Sequence, residues 1–335
     1  MEQNKKVTIE DIAARANVSK STVSRVLTST ARVADDKRAA VLQAMADLDY
    51  QPNIFARGLA GGQSMTIGVL TQNFGSPFYD AILRGILQGL DGSGYSAIFT
   101  DGRWARASEE EALRTMLGRQ VDGIIVVGGY SDGATLAKVA AQAPLIVVGR
   151  KVAELAGRCL WVDNFQAAYD ATCYLLENGH RRIAHIAGAL AHDDAAARRD
   201  GYVRALEDAG IRVNDDWIIE GDFLSQSGLL AVEMLLTRGA PFSAIFAAND
   251  QMAAGARLAL HRRGIRVPQD MALIGFDNVA DAAYMIPPLT TVNQPAAEMG
   301  ETAAKAMLQL LKGITVELPV FTTELILRES VARLP

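Results

Sequence analysis

Residues 7–27 read VTIEDIAARANVSKSTVSRVL, and this stretch predicts two short helices joined by a tight turn near the start of the chain. Thr8 followed by Asp11 is a capping-box-like pattern, which places a hydroxyl and an acid at the first turn of a helix. The first helix then carries an apolar stripe at spacings of three and four, formed by Ile9, Ile12, Ala13 and Ala16. One face of this helix is therefore expected to be buried.

The second helix is expected to begin directly after the turn, because Asn17 tolerates a left-handed backbone and Ser19 can act as an N-cap. Its inward positions are Val23, Val26 and Leu27. Its outward positions, close to the helix N-terminus, are Lys20, Ser21, Thr22, Ser24 and Arg25. This arrangement is typical of a helix-turn-helix whose second helix enters the major groove of DNA. An ordinary helical hairpin that caps a larger domain is the alternative.

Two further features favour the helix-turn-helix interpretation. Residues 35–49 predict a third helix, on which Val41, Met45 and Leu48 can close a three-helix core. Residues 50–62 read YQPNIFARGLAGG, where Pro52 ends one helix and the glycines end the segment that follows. We interpret this segment as a hinge between the helical head and the rest of the chain.

Length, composition and charge bound the possibilities. The 335-residue chain has room for two or three domains, and half of its residues are apolar, so a large buried core is expected. The net charge of −5 taken alone argues against nucleic acid, but residues 1–62 hold nine Lys or Arg against seven Asp or Glu. Because this head is only mildly basic, dimerisation, helix N-termini and hinge contacts must supply much of the affinity for phosphate. Binding to DNA should therefore weaken steeply with salt.

Several other classes of protein are disfavoured. Cys159 and Cys173 show no CxxC spacing and the four His show no ligand spacing, so neither a disulfide framework nor a metal site is expected. No GxSxG, HExxH, P-loop or GxGxxG motif is present, which argues against an enzyme. The sequence shows no signal peptide and no apolar run of about 18 residues, so we expect a cytoplasmic protein that does not span a membrane. A sugar-binding transport protein, which needs export, is disfavoured for the same reason.

From residue 66 onward, apolar strands alternate with amphipathic helices. The candidate strands are 66–70, 96–99, 123–127, 145–148, 183–187, 244–247 and 272–276, and two of the candidate helices are 166–178 and 226–238. Near-continuous apolar strands separated by helices predict parallel sheets that are covered on both faces. Because a single sheet of this size would be unusually wide, we expect two doubly wound subdomains.

Ligands of open parallel sheets bind beyond the carboxyl ends of the strands, so the residues that follow the strands are the candidates for a site. They are Phe78 and Tyr79, the charged run 192–200, Asn249 and Asp250, and Asp277 and Asn278. An aromatic wall with amide, carboxylate and guanidinium groups suits a polyol, whose apolar faces pack while each hydroxyl needs a partner. The sequence therefore predicts a sugar-like pocket.

The chain resembles the LacI/GalR family of bacterial transcription repressors from about residue 7 to residue 327. The motifs that carry the resemblance are VTIEDIAARANVSKSTVSRVL, the YQPN and ARGL of the hinge, IGVLTQNFGSPFYDAILRGI, ENGHRRIAHIAG, AANDQMAAGA, IGFDN and PPLTTVNQP. The resemblance implies an all-α helix-turn-helix headpiece at 1–52, a hinge helix or linker at 53–64, and a periplasmic-binding-protein-like α/β core at 65–335. Within the core it implies one subdomain at about 65–162 and 292–323 and another at about 163–291 and 324–335.

The effector contacts of that family, carried over position by position, fall on Phe78, Tyr79, Arg198, Phe223, Asn249, Asp277 and Gln294. Each could have a plainer role. Phe78 and Phe223 could be ordinary core residues. Arg198 could form a surface ion pair with Asp194 or Asp200. Asp277 could merely cap the turn after its strand.

The DNA contacts of the family fall on Thr8, Ser19, Lys20, Ser21, Thr22, Ser24, Arg25, Thr28, Tyr50, Asn53, Ala56 and Leu59. The resemblance implies that Lys20, Ser21 and Arg25 meet base edges, although Lys20 could instead contact a phosphate. It also implies that segment 53–60 folds into a short helix only on DNA. Leu59 would then wedge into a minor-groove base step, or alternatively pack against the core.

The resemblance implies a homodimer that binds a palindromic operator in the nucleoid and represses a carbohydrate-utilisation operon. It also implies a small-molecule effector, a sugar, and no cofactor. The motifs DGR at 101–103, GDF at 221–223 and EMLLTRGAPFS at 233–243 resemble those of repressors of β-glucoside utilisation operons, which implies a β-glucoside effector. The sequence shows no leucine heptad tail, so a dimer is expected in preference to a tetramer. A regulator that needs a purine co-repressor or a phosphoprotein partner stays open, as does the sign of the effector response.

Overall fold

The computed structural model describes residues 7–28, 33–50 and 63–334. The N-terminal part consists of α1 (Ile9–Arg15), α2 (Lys20–Thr28) and α3 (Asp35–Asp47). The predicted capping box is present, since the amide of Asp11 donates to Thr8 Oγ1 over 3.4 Å and the amide of Thr8 donates to Asp11 Oδ2 over 2.8 Å. Asn17 has a φ of 51°, as the tight turn requires. The predicted three-helix core is confirmed, and its buried residues are Ile12, Ala13, Val23, Val41 and Ala44.

The third helix ends two residues earlier than the sequence predicts. Leu48 caps α3, and its amide donates to the carbonyl oxygen of Ala44. Asp49 then takes a φ of 45°, which an α-helix cannot accommodate. The helical periodicity of the apolar residues continues through this turn because Leu48 still packs against the three-helix core.

The first unit of the core is a five-stranded parallel sheet with the strand order β2-β1-β3-β4-β5. Its strands are β1 (Thr66–Thr71), β2 (Ser96–Asp101), β3 (Gly123–Val127), β4 (Leu145–Val148) and β5 (Cys159–Leu160). The helices of this unit are α4 (Pro77–Leu90), α5 (Arg106–Gly118), α6 (Gly133–Ala140) and, from late in the chain, α11 (Ala296–Leu311). A short 3₁₀ helix spans Ala153–Leu155.

The second unit is a six-stranded sheet with the order β11-β10-β9-β8-β6-β7. Its strands are β6 (Ile183–Ala187), β7 (Ile218–Glu220), β8 (Ala244–Ala247), β9 (Ala272–Asp277), β10 (Thr290–Asn293) and β11 (Glu324–Ile326), of which only β11 is antiparallel to its neighbour. The helices are α7 (Asn164–Glu177), α8 (Asp193–Asp208), α9 (Ser225–Arg238) and α10 (Asp250–Arg262), with 3₁₀ turns at Asp215–Trp217 and Ala280–Tyr284. The predicted fold class, two doubly wound α/β units behind a helical head, is confirmed.

The chain passes between the two units three times. It leaves the first sheet after β5 and enters the second unit at α7, returns after β10 to form α11, and comes back to the second sheet as β11. Helix α11 packs so closely on α4 that a Cβ atom added at Gly85 would overlap the carbonyl oxygen of Ala297. Both units therefore depend on segments that are distant in sequence.

Two observations concern the described residues alone. None of their helices is long and apolar enough to cross a membrane. Cys159 and Cys173 are free and partly buried, and no group of three or more His, Cys, Asp or Glu within the described ranges could hold a metal ion.

Candidate functional site

The carboxyl ends of the strands in both units face a common cleft, where an outer cavity of about 360 Å³ lies beside an inner chamber of about 40 Å³. Residues that line the outer cavity include Phe78, Tyr79, Trp104, Arg106, Tyr130, Asp132, Arg150, Lys151, Glu154, Asn164, His192, Asp193, Asp194, Arg198 and Gln294. Residues that line the inner chamber include Ser76, Phe78, Tyr79, Trp104, Arg198, Phe223, Asn249 and Asp277. Each of the seven predicted effector residues thus lies on at least one of these two walls.

Arg198 lies at the centre of the cleft. Its side chain extends from α8, stacks over the ring of Phe276 at 3.7 Å, and the residue is only 3% exposed. Its Nε donates to Asn164 Oδ1 over 2.8 Å and its Nη1 donates to the carbonyl oxygen of Ala248 over 2.6 Å. These contacts fix the guanidinium between α7 and the end of β8.

The alternative interpretation of Arg198 as an ion pair is confirmed for Asp194, but the pair does not lie at the surface, because Arg198 is buried. Asp200 pairs instead with its neighbour Arg199 over 2.6 Å. The nearest carboxylates to Arg198 are those of Asp277 at 3.8 Å and Asp194 at 3.9 Å. The cation therefore faces the cleft and has two acidic groups beside it.

Asp277 ends β9 with a φ of 106°, a strained backbone for a residue other than glycine. Its Oδ1 accepts a 2.7 Å hydrogen bond from Nε2 of Gln294, which follows β10. The carboxylate is thus held by a side chain from the neighbouring strand, which disfavours a role limited to capping its own turn. Burial raises the pKa of Asp277 to about 7, although nearby Arg198 acts to lower it.

Asn249 lines the inner chamber, and both Asn249 and the next residue, Asp250, make structural hydrogen bonds. Asn249 caps α10 by accepting from the amide of Met252 over 2.9 Å, and its Nδ2 donates to the carbonyl oxygen of Phe223 over 2.9 Å. Asp250 is fully buried and accepts from Thr291 Oγ1 over 2.6 Å. Burial raises the pKa of Asp250 to about 8.

Phe78 and Phe223 each pack on a core with one side and line the inner chamber with the other. Phe223 has a φ of 68° and lies so close to Gly188 that a Cβ atom there would overlap its ring. The two roles considered for these residues, core packing and ligand contact, are therefore compatible. Burial raises the pKa of the adjoining Tyr79 well above its ordinary value, so this phenol stays protonated.

Three aromatic side chains that are not among the predicted effector contacts meet across the cleft, and we call Trp104, Tyr130 and His192 the aromatic partition. Tyr130 Oη lies 2.6 Å from His192 Nε2, which joins the loop after β3 of the first unit to the loop after β6 of the second. The centroid of the Trp104 ring lies 4.1 Å from that of His192 in an edge-to-face arrangement. Burial lowers the pKa of His192, which favours the neutral imidazole.

A buried carboxylate holds the Tyr130 loop in place. Glu109 of α5 is fully buried and accepts from the amides of Tyr130 and Ser131, each over 2.8 Å, and from Ser131 Oγ over 2.6 Å. Arg150 donates to the carbonyl oxygen of Ser131, while its buried Nε has no hydrogen-bond partner among the described residues. The loop that forms this part of the outer cavity wall is therefore fixed by Glu109 and Arg150.

The residues predicted to meet DNA cluster at the start of α2. Lys20, Ser21 and Arg25 are exposed, and Lys20 pairs with Glu10 of α1. Ser19 Oγ lies 2.8 Å from both Ser21 Oγ and Thr22 Oγ1 and accepts from the amide of Thr22 over 3.2 Å. The predicted N-cap of α2 is thus formed, and the exposed side chains lie around it.

The remaining predicted DNA contacts fall into two groups. Thr8 caps α1, Ser24 lies within α2 and is partly buried, and Tyr50 is partly buried against the three-helix core. The side chain of Thr28 and all of Asn53, Ala56 and Leu59 lie outside the described residues. The hinge prediction therefore stays a prediction.

Comparison with known proteins gives matches over both parts of the chain. Residues 8–53 match the model of bacterial regulatory proteins of the lacI family, and residues 172–331 match that of a periplasmic binding protein-like domain. The ribose operon repressor of Haemophilus influenzae is 35% identical over 327 residues, which cover 97% of this chain and 98% of that protein. The transcriptional repressor PurR of Erwinia tasmaniensis is 36% identical over 333 residues, which cover 97% of each chain.

Solved structures agree with these relatives. A crystal structure of the Lac repressor dimer bound to operator and the anti-inducer ONPF matches with a TM-score of 0.87 at 30% identity, covering 98% of this chain and 100% of that one. A complex of the transcriptional regulator CelR with cellobiose matches with a TM-score of 0.72 at 32% identity, covering 97% of this chain and 99% of that one. These four proteins are named as repressors or regulators and not as enzymes.

Proposed function

Because the chain belongs to the LacI family of DNA-binding transcriptional repressors, we propose that it represses a carbohydrate-utilisation operon and leaves a palindromic operator when a small sugar binds between the two units of its core. A repressor of chromosomal genes acts in the cytoplasm, at the nucleoid. In this proposal the headpiece is 1–52, the hinge 53–64 and the effector-binding core 65–335. The core divides into subdomains of about 65–162 with 292–323 and about 163–291 with 324–335.

The observation that carries the sugar proposal is the cleft between the units. Phe78 and Phe223 offer apolar faces, while Arg198, Asn249 and Asp277 offer polar groups that are already held in place by hydrogen bonds within the protein. A sugar needs this combination, because its ring faces are apolar and each buried hydroxyl requires a hydrogen-bond partner. A β-glucoside is the specific candidate, and the cellobiose complex of the similar regulator CelR supports it.

A homodimer is supported by an apolar surface on the second unit. Leu230 of α9 and Leu258 of α10 are exposed, and Tyr284 and Ile286 are 83% and 82% exposed. The Nε of Arg257 on α10 donates to the carbonyl oxygen of Ile286 over 2.8 Å, so these residues belong to one surface. Exposed apolar patches of this kind mark protein interfaces, and the similar Lac repressor structure is a dimer.

The mechanism follows from the placement of the cleft. An effector that contacts both units favours one arrangement of them, and in a dimer that arrangement sets the distance between the two hinges and therefore between the paired headpieces. We propose that the sugar favours the arrangement in which the headpieces no longer match the half-sites. A coupling free energy of about 1–3 kcal/mol per site suffices for such a change in operator affinity.

A second candidate is a regulator that needs a purine co-repressor, favoured by the similarity to PurR over 97% of the chain. In that case the ligand tightens the operator complex. A phosphoprotein partner in place of a free ligand is a further alternative. The cleft of this chain favours the sugar, because two of its arginines, Arg106 and Arg198, already lie beside carboxylates of the protein.

The deciding experiment is fluorescence anisotropy of the purified full chain on the palindrome upstream of its own gene. β-Glucosides, plain hexoses and purines are added in turn. Release by a sugar supports the proposal and identifies the effector class. Tightening by a purine contradicts it and reverses the sign of the mechanism. Light scattering of the same sample tests the dimer, and Tyr284→Asp should yield monomers that bind the operator weakly.

A further inference from the structure

The two cavities of the cleft differ greatly in size. The inner chamber of about 40 Å³ contains most of the polar groups carried over from the family, including Asn249 and Asp277. A single ordered water needs roughly 10–15 Å³, so this space is too small for a whole sugar ring but takes hydroxyl groups at the edge of a ring that lies in the outer cavity. The outer cavity of about 360 Å³ lies within the usual range of about 300–1,000 Å³ for sites that hold drug-sized ligands.

The outer cavity is lined by charges that balance. Four basic side chains, Arg106, Arg150, Lys151 and Arg198, face four acidic ones, Asp132, Glu154, Asp193 and Asp194. Arg106 pairs with Asp132 over 3.3 Å, and Arg198 lies 3.9 Å from Asp194. A phosphate or a carboxylate would leave part of this lining uncompensated, whereas a neutral ligand rich in hydroxyls leaves every pair intact.

The aromatic partition forms the boundary of the outer cavity on the side of the inner chamber. Trp104 lines both spaces, while Tyr130 and His192 line only the outer one. Their rings present apolar surface next to the hydroxyl of Tyr130 and the imidazole of His192, a combination that suits the face and edge of a sugar ring. The side chain of Arg150, which donates to the carbonyl oxygen of Ser131, belongs to the same wall.

We infer that the effector is an uncharged glycoside with two rings, and that Trp104, Tyr130 and Arg150 form the subsite that selects the second ring; this inference rests on the proposed function. One ring extends its hydroxyl groups towards Arg198, which both cavities share, and the second ring packs against the aromatic partition. A single hexose fills only part of the outer cavity and leaves the apolar surface of Trp104 in contact with water.

Calorimetric titration of the full chain with cellobiose, phenyl β-glucoside and glucose tests this inference. We expect both two-ring probes to bind about tenfold or more tightly than glucose, the difference that one buried aromatic contact and its excluded water can produce. Trp104→Leu should remove most of this preference, with a much smaller loss of affinity for glucose. Tyr130→Phe should weaken only the two-ring probes, by several-fold.

Tyr169→Phe is the matched control, because it also removes one phenolic hydroxyl, which donates to Asp208 over 3.2 Å away from the cleft. It should leave all affinities unchanged. Equal affinity for glucose and the two-ring probes, or an equal loss for all three in Trp104→Leu, overturns the two-ring inference while a sugar effector stands. Binding of a purine with no heat from any sugar overturns the inference and the proposed function together. If Trp104→Leu does not fold, the comparison of Tyr130→Phe with Tyr169→Phe decides the question.

Discussion

Lowering the pH should destabilise the second unit through one buried imidazole, that of His185. This residue lies in the middle of β6, is fully buried, and stacks between the rings of Tyr202 and Phe246 with centroids 4.9 Å away on each side. Its Nδ1 lies 2.9 Å from the carbonyl oxygen of Phe246, while its Nε2 has no partner among the described residues. A proton on Nε2 would therefore carry charge into an apolar layer.

The size of the effect follows from the shifted pKa. Burial lowers the pKa of His185 from 6.5 to about 4. Because the folded-state pKa lies below the unfolded-state value, the stabilising contribution is fully present above pH 6.5 and is lost as the pH falls towards 4. The full shift corresponds to about 3 kcal/mol, of which roughly 2.5 kcal/mol should be lost by about pH 4.5.

Other buried groups change stability in the opposite direction over the same range. Asp250 and Asp277 have pKa values raised to about 8 and about 7, so the folded state binds their protons more readily than the unfolded state. Their contribution to stability grows as the pH falls. The unfolding curve of the unmodified protein alone is therefore not diagnostic, and a comparison with a variant that lacks the imidazole is needed.

The assay is scanning calorimetry of the unmodified protein, His185→Gln and His185→Phe at about pH 7.5 and about pH 4.5. The Gln variant can keep a hydrogen bond to the Phe246 carbonyl oxygen, and the Phe variant can keep the ring stack. Between the two pH values the unmodified protein should lose roughly 5–10 °C in Tm relative to both variants. If its Tm falls in parallel with theirs, His185 does not titrate between folded and unfolded states as argued.

The remaining predictions concern the cleft, the helix packing and the headpiece. Arg198→Ala should lower the free energy of unfolding by about 1–3 kcal/mol, since the buried carbonyl oxygen of Ala248 and the side chain of Asn164 lose their hydrogen-bond donor, and should abolish the calorimetric heat of sugar binding; normal stability in urea unfolding would contradict this. Gly85→Ala should lower the free energy of unfolding by about 1–3 kcal/mol, because the added Cβ atom overlaps a backbone oxygen. Gly118→Ala is the helical control, since nothing lies within 4 Å of its Cβ position, and it should be neutral or slightly stabilising. Equal Tm values for the two variants would refute the packing argument. Lys20→Gln should weaken binding to the operator more than to unrelated DNA if the lysine reads a base; an equal loss in anisotropy, with a salt slope lower by about one, would instead indicate a phosphate contact.

Six of the seven candidate strands could be predicted from sequence because most of their residues are buried and read as apolar runs, whereas β2 lies at the sheet edge and is only partly buried. All seven candidate strands are present in the structure. The strands that were missed are β5, β7, β10 and β11, which have two to four residues each. β4 and β8 also have four residues but are apolar throughout, whereas β10 reads TTVN and the other missed strands have only two or three residues, so none of them gives a clear apolar run. β11 pairs with the edge of β10.

The candidate site was predicted where it follows the long strands, as with Asn249 after β8 and Asp277 at the end of β9. His192 belonged to a charged run that the same rule selected, but its aromatic contacts could not be foreseen. Trp104 and Tyr130 lie in loops of the first unit and meet His192 only because the two units face each other. Contacts between loops of separate units leave no local pattern in the sequence.

The three passages of the chain between the two units limit how these units can move. Two bodies joined by one flexible link can rotate about any axis, but three links restrict how the bodies twist and slide against one another. The coordinate that they restrict least is the opening of the cleft. Any molecule that wedges or bridges the units, whether a ligand in the cleft or a second subunit on their outer faces, acts on that same coordinate. Two remote ligands can then influence one another without a dedicated chain of contacts between them.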